Sequence, residues 1–201
     1  MGLKLYRPLM LAGAMMGCLW GTPAAAQFSD LLAVPKVLID RAIEARSTTD
    51  IGRDNEIILK VNAAMADVGT VKASSEIYEQ RLLITGIFDD KAVYDHFYSK
   101  IKGITGIKKL YWHAVYMAPD DPRRAKLLDW SDVLILDTKA EARLVGSMDV
   151  ADVNFRVAAD STGTVYVLGR ARSDAERKEA LARARDGNTV QKVVDYIVVR
   201  P

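Results

Sequence analysis

Apolar and polar positions alternate along this chain in a pattern that changes period several times. Behind Asp54, Ile57, Val61, Ala64 and Met65 recur at helical spacing, so a helix capped by Asp54 is expected. Val71 to Tyr78 and Leu82-Leu83-Ile84-Thr85-Gly86 read as two strands joined by a tight turn at Glu79-Gln80. Asp89 or Asp90 then caps an amphipathic helix running from Ala92-Val93 to Ile101, which Gly103 to Gly106 stops. Ile107-Lys108-Lys109-Leu110-Tyr111 opens a third strand.

The same order returns 83 residues later. Leu82 to Gly86 aligns with Val165-Tyr166-Val167-Leu168-Gly169, and Ile107 to Tyr111 aligns with Val190-Gln191-Lys192-Val193-Val194, with no gap between the two matches. Asp132 to Val145 supplies the helix, Asn154 to Asp160 the first strand, and Ser161-Thr162-Gly163 the turn. Ser173 caps the second helix, Ala175 to Ala184 gives its stripe, and Asp186-Gly187-Asn188 ends it. The expected class is α+β: two tandem units of order helix, strand, strand, helix, strand, each a small mixed three-stranded sheet covered on one face by two helices. Units of about 65 to 70 residues lie near the lower size for an independent core, so they should pack on each other or on the linker. Val167 and Ile84 occupy matched positions and are expected in the core. The boundaries are a first unit at 54–117, a turn-rich linker at 118–129 containing Ala118-Pro119-Asp120-Asp121-Pro122, and a second unit at 130–201, with a lead-in at 27–53.

Residues 1–26 read as an export signal. Lys4 and Arg7 precede an apolar run from Leu9 to Trp20, and Thr22-Pro23-Ala24-Ala25-Ala26 ends in small residues before Gln27. That run is shorter than the roughly 20 residues a spanning helix needs. Two outcomes stay open: cleavage after Ala26, or lipidation at Cys18, which follows Met15-Met16-Gly17. The expected location is the periplasm, either peripheral to the outer membrane or anchored in it through Cys18.

Charge narrows the function. The chain has 28 Lys and Arg against 26 Asp and Glu, and Lys4 and Arg7 account for the difference, so everything from Gln27 onward is balanced. A protein held mainly by nucleic-acid phosphates would carry a broad basic excess, so no nucleic-acid partner is expected. The single cysteine excludes a disulfide framework and a cysteine-built metal site. Asp120 and Asp121 lack the spaced ligands of a calcium loop, and no cofactor or metal is expected.

The two-unit order resembles the BON domain. The resemblance rests on Leu-Leu-Ile-Thr-Gly or Val-Tyr-Val-Leu-Gly on the second strand, a Gly-Ile-Lys-Lys-Leu entry to the third, and Ala42-Ile43-Glu44-Ala45-Arg46 leading to Asp54-Asn55-Glu56-Ile57. It covers about residues 42 to 201, and two such units behind an export signal look like the dual-BON periplasmic proteins of Gram-negative bacteria. The resemblance implies phospholipid binding, support of outer-envelope integrity and no catalysis. Relatives of the lipoprotein type often place a tryptophan four residues before a lysine early in the second unit. Here Ile135 stands four before Lys139, and the nearest tryptophan is Trp130.

His96 and His113 have no partner motif that would give either a catalytic role. Gly86 and Gly169 end matched strands just before a helix, where one glycine fits close backbone approach better than a phosphate cradle. Two features point to a membrane surface. Leu127-Leu128-Asp129-Trp130 and Val133-Leu134-Ile135-Leu136 carry more bulky apolar side chains than one helix face can bury. Arg170, Arg172, Arg177, Lys178, Arg183 and Arg185 outnumber Asp174, Glu176 and Glu179. The expected function is non-enzymatic binding of anionic phospholipid by the second unit, through Trp130, Leu134, Ile135, Arg170, Arg172, Arg177 and Lys178. The alternative is an adaptor that docks envelope-assembly or channel proteins through the same surfaces.

Overall fold

The computed structural model describes residues 44–70 and 72–201. Residues 1–26, read above as an export signal and including Cys18, lie outside the described residues, as does Val71. Helix α1 spans Thr48–Asp67, followed by β1 (Ala73–Tyr78), β2 (Arg81–Phe88), α2 (Lys91–Lys102) and β3 (Lys109–Tyr116). A short 3-10 turn at Pro122–Lys126 leads to α3 (Trp130–Val145), β4 (Phe155–Ala159), β5 (Thr164–Ala171), α4 (Asp174–Arg185) and β6 (Lys192–Val199). Each half forms a three-stranded sheet, β1-β2-β3 and β4-β5-β6, with an antiparallel hairpin and a parallel pair closed by a crossover helix. The chain is therefore α+β with two small mixed sheets.

The first helix begins six residues before the expected cap. Ser47 is the N-cap, its hydroxyl accepting from Asp50 N, and Asp54 instead lies buried inside the helix. Its two carboxylate oxygens accept from the backbone N–H groups of Glu79 and Gln80 at 2.8 and 2.7 Å, from Gln80 Nε2 at 2.9 Å and from Arg46 at 3.0 Å. Glu79 and Gln80 both have positive φ, 51° and 62°, the conformation a two-residue hairpin turn requires and glycine usually supplies. Asp54 thus holds together a turn whose own residues disfavour it. In the second unit the turn is one residue longer and Asp160, at the end of its own strand, does the work: its side chain accepts from Thr162 N at 2.8 Å, Thr164 N at 3.1 Å and Tyr166 Oη at 2.6 Å. Asp90 and Ser173 cap α2 and α4 as expected.

All eight residues of β2, and all but Arg170 on β5, are buried. Such continuous burial requires cover on both faces. On one face Leu82, Ile84 and Phe88 meet Ile57, Val61, Phe97 and Ile101 of α1 and α2, while Val165, Val167 and Ala171 meet Leu136, Ala140, Ala180 and Ala184 of α3 and α4. Ile84 and Val167 are fully buried in these two cores. On the other face Tyr78 and Leu83 of the first sheet pack on Ala158, Tyr166 and Leu168 of the second, with Tyr111, Val194 and Tyr196 beside them. The described body has four layers, helices outside and two sheets face to face within.

Polar groups fix the sheet-to-sheet register. Arg81 donates to the carbonyls of Tyr196 and Gly169, both at 2.8 Å, Thr85 Oγ1 donates to Ala159 O at 3.0 Å, and Tyr78 Oη donates to Asn154 Oδ1 at 3.0 Å. The lead-in crosses the same seam: Ala45 N donates to Asn154 Oδ1, Ala45 O accepts from Arg170, and Arg46 reaches Glu44 and Asp54. Gly86 and Gly169 have a common role. A Cβ on either would strike the edge strand, at Lys72 O and Ala73 in the first unit and at Asn154 O and Phe155 in the second. Both glycines permit close strand approach.

Candidate functional site

Helix α3 is apolar on two sides. Val133, Leu136, Ala140 and Leu144 face the core, at the spacing of one helical stripe. Leu134, Ile135 and Val145 are about half exposed, at 47%, 50% and 50%, and Met148, in the turn just beyond the helix, is wholly exposed. Along the outer face Thr138 and Glu141 stand between Leu134 and Val145 at the 3.6-residue period, so the exposed apolar side chains form two small groups, Leu134 with Ile135 at one end of the helix and Val145 with Met148 at the other. Among the described residues nothing covers these side chains. Trp130 is half-buried and packs on the core of the second unit with Leu128. Its ring is not part of either exposed group.

The arginines of the predicted basic segment divide between two surfaces. Arg170 lies on the sheet-to-sheet side of β5, opposite the helices, where its guanidinium donates to Ala45 O at 3.2 Å and to the carbonyls of Arg200 and Pro201. Strand alternation puts it there: Val165, Val167 and Ala171 face the helices, and Tyr166, Leu168 and Arg170 face away. It therefore does not share a surface with Leu134 and Ile135. Arg172 pairs at 3.0 Å with Glu176, whose buried carboxylate also accepts from the backbone N–H groups of Ala151 and Arg172. Arg177 pairs with Asp195 at 2.5 Å and Arg183 with Glu179 at 2.6 Å. Among the described residues Lys139, Lys178 and Arg185 on α3 and α4 form no ion pair. The unpaired positive charge on these two helices is smaller than the sequence count implies.

Next to the exposed side chains of α3 is a set of carboxylates that sequence reasoning missed. Asp137 and Glu141 stand one turn apart on α3, and Glu76 projects from β1 of the other unit on the sheet-to-sheet face, between Ser74 and Tyr78. Burial, then the like charge of Asp137, pushes the Glu76 carboxyl up to about 8, with Arg156 partly offsetting and Glu141 adding. Burial and Glu141 push Asp137 up to about 7. Val145 and Met148 were also missed, although their signal was present in the sequence: they follow Leu134 at helical spacing. Glu76 had no such signal, because only the packing of the two sheets brings it to α3.

The two histidines have unlike surroundings. His96 is exposed beside Asp67 at 3.5 Å. His113 is half-buried between the sheets, Nε2 2.7 Å from Tyr196 Oη and its ring 4.4 Å from that of Tyr166. Burial lowers its pKa, Asp160 opposes that and Lys192 adds to it. Among the described residues no cluster of His, Cys, Asp and Glu has metal-holding geometry, and no helix is long and apolar enough to cross a membrane.

No family model matches the chain. No curated protein matches it either. Among solved structures it is similar to CdsD, a structural protein of the type III secretion system of Chlamydia trachomatis, at 8% identity and TM-score 0.32 over 73% of this chain and 93% of that one. A structure of the C-terminal domain of the same protein gives 8% identity and TM-score 0.32 over 72% and 98%.

Proposed function

We propose that the chain is a non-enzymatic periplasmic protein of the dual-BON type, whose second unit attaches to an anionic phospholipid surface at the outer membrane and supports envelope integrity. The observation that carries this reading is the exposure of Leu134 and Ile135 at one end of α3 and of Val145 and Met148 at the other. A helix lying in the headgroup region buries such side chains while polar flanks stay wet. At about 1.5 to 3 kcal/mol for a fully buried large apolar side chain, four that already hide half their surface or less would contribute about 4 kcal/mol. Lys139, Lys178 and Arg185, unpaired on α3 and α4, can meet phosphates, each worth about 1 kcal/mol near an anionic surface.

Sedimentation with phosphatidylglycerol-containing vesicles tests the reading. Leu134→Asp and Ile135→Asp each should abolish binding while the far-ultraviolet circular dichroism stays unchanged. Sedimentation of both variants like the parent would refute it.

A specific observation favours a second reading, in which these exposed side chains dock a protein. Arg172 and Arg177 spend their charge on Glu176 and Asp195, and Asp137 and Glu141 bring negative charge beside the exposed side chains. On that reading a partner is captured in detergent without lipid, and vesicle binding is absent even at low salt.

A further inference from the structure

The seam between the two units contains acid where countercharge is expected. Glu76 lies on the face of β1 that meets the second sheet, opposite Leu83 in the hairpin register and two residues from the fully buried Tyr78. β1 and β4 run side by side at the edges of the two sheets, and α3 packs over β4, which brings the half-buried Asp137 towards the β1 edge from the second unit, with the exposed Glu141 one turn further along the helix. Glu76 and Asp137 accept no hydrogen bond and form no ion pair among the described residues, and Asp137 Oδ1 is buried with no partner at all. The charged groups that act on them are Glu141 from α3 and Arg156 from β4. Arg156, the only cation in this set, donates to the carbonyls of Val153 and Phe155 at 3.1 and 2.6 Å. Both side chains are half-buried and Asp137 Oδ1 is wholly shielded from water; neighbouring carboxylates placed in this way without donors are costly to ionise together, and a proton is the simplest neutraliser.

We propose that protonation of the Glu76 and Asp137 carboxyls stabilises the seam between the two units, making their association a pH-sensitive device that tightens in mild acid and loosens in mild alkali. The folded state binds protons here more tightly than the unfolded chain does. Stability is therefore greatest where both states are protonated and is lost as pH rises towards the folded pKa. Every other displaced carboxylate among the described residues is displaced downward, burial being outweighed by hydrogen-bond donors and cations, so these groups titrate in acid. His113 works in the opposite sense: its depressed pKa favours the folded state as pH rises, but only up to the ordinary histidine range. Between pH 7 and 9 the carboxyls act with little interference from it.

The test is urea unfolding of the full chain at pH 5.5, 7 and 9, with and without EDTA. The unfolding constant of the parent should rise about tenfold between pH 7 and 9, the linkage value for a carboxyl displaced from its ordinary range to about 8. Glu76→Gln should flatten that rise to less than about threefold and make the protein more stable than the parent at pH 9. Asp137→Asn, a second route to the same end should the first variant fold poorly, should flatten it in part. In the combined variant the two effects should not add, because each carboxylate raises the cost of ionising the other. A parent profile that is flat from pH 7 to 9, or variants that keep the parent's slope, would overturn the proposal. So would restoration of the parent's stability at pH 9 by millimolar calcium and its loss in EDTA, since the seam would then hold a cation.

Discussion

Replacing Asp54 with alanine is a sensitive test of how the first hairpin is held. The carboxylate is 1% exposed and receives four donors, two of them the backbone N–H groups of Glu79 and Gln80. These two residues sit at positive φ without being glycine, at a cost of about 1 kcal/mol or more each that the aspartate offsets. Asp54→Ala leaves two buried amide donors unpaired in a turn that no longer has a reason to keep its shape. Arg46 retains Glu44 at 2.9 Å, so its charge is not abandoned. At about 1 to 3 kcal/mol for each buried donor left unpaired, the loss should be about 3 to 5 kcal/mol. Asp54→Asn, which keeps acceptors for some donors but turns an amide NH2 towards another, should lose about half as much. Urea unfolding at pH 7 with a single-transition fit reads both values. Asp160→Ala provides the comparison: its turn contains Gly163 at φ 77° and is less buried, so about 1 to 2 kcal/mol is expected. An Asp54→Ala loss below about 1 kcal/mol would show that the turn holds itself.

Further outcomes follow from the same geometry. Ile84→Ala should cost about 2 to 4 kcal/mol by urea unfolding, since the side chain is fully buried between β2 and its helices, and Val167→Ala somewhat less. Gly86→Ala should lose more than about 2 kcal/mol, because φ is +149° and the new Cβ would lie 2.5 Å from Lys72 O; thermal melting is sufficient to see it. Lys178→Glu should weaken vesicle binding more than Arg177→Glu does, and in a salt-dependent way, because Arg177 is already neutralised by Asp195. Equal effects would place both side chains at the surface phosphates.

The order of elements was legible because it is written twice. Matched strands such as Leu82 to Gly86 and Val165 to Gly169 announce themselves at a spacing of 83, and the small size of each unit pointed to packing on its neighbour or on the linker. The start of α1 was not legible: Thr48 to Arg53 carries no apolar stripe, so Asp54 resembled a cap, when its carboxylate was needed by a hairpin 25 residues away. The exposed apolar groups of α3 were half legible. Leu134 and Ile135 stood out as excess, whereas Trp130 looked equally exposed and is in fact packed against the core. For the basic segment, composition could count charges but not pair them. Asp195 on β6 reaches Arg177 across the crossover, and alternation along β5 sends Arg170 to the far side of the sheet. Glu76 lies further from view, since it becomes costly only when two sheets close over it.

The central claim, that the outer face of α3 enters a lipid surface, is tested most directly by depth measurement. Nitroxide labels would be placed at Ile135→Cys and, as a control, at Leu59→Cys on α1, which is 67% exposed, both in a Cys18→Ser background. With phosphatidylglycerol vesicles, the label at 135 should become protected from a water-soluble relaxation agent and accessible to oxygen, while the label at 59 stays in water. Labels at both positions remaining equally water-exposed, under conditions where the protein sediments with the vesicles, would contradict the account.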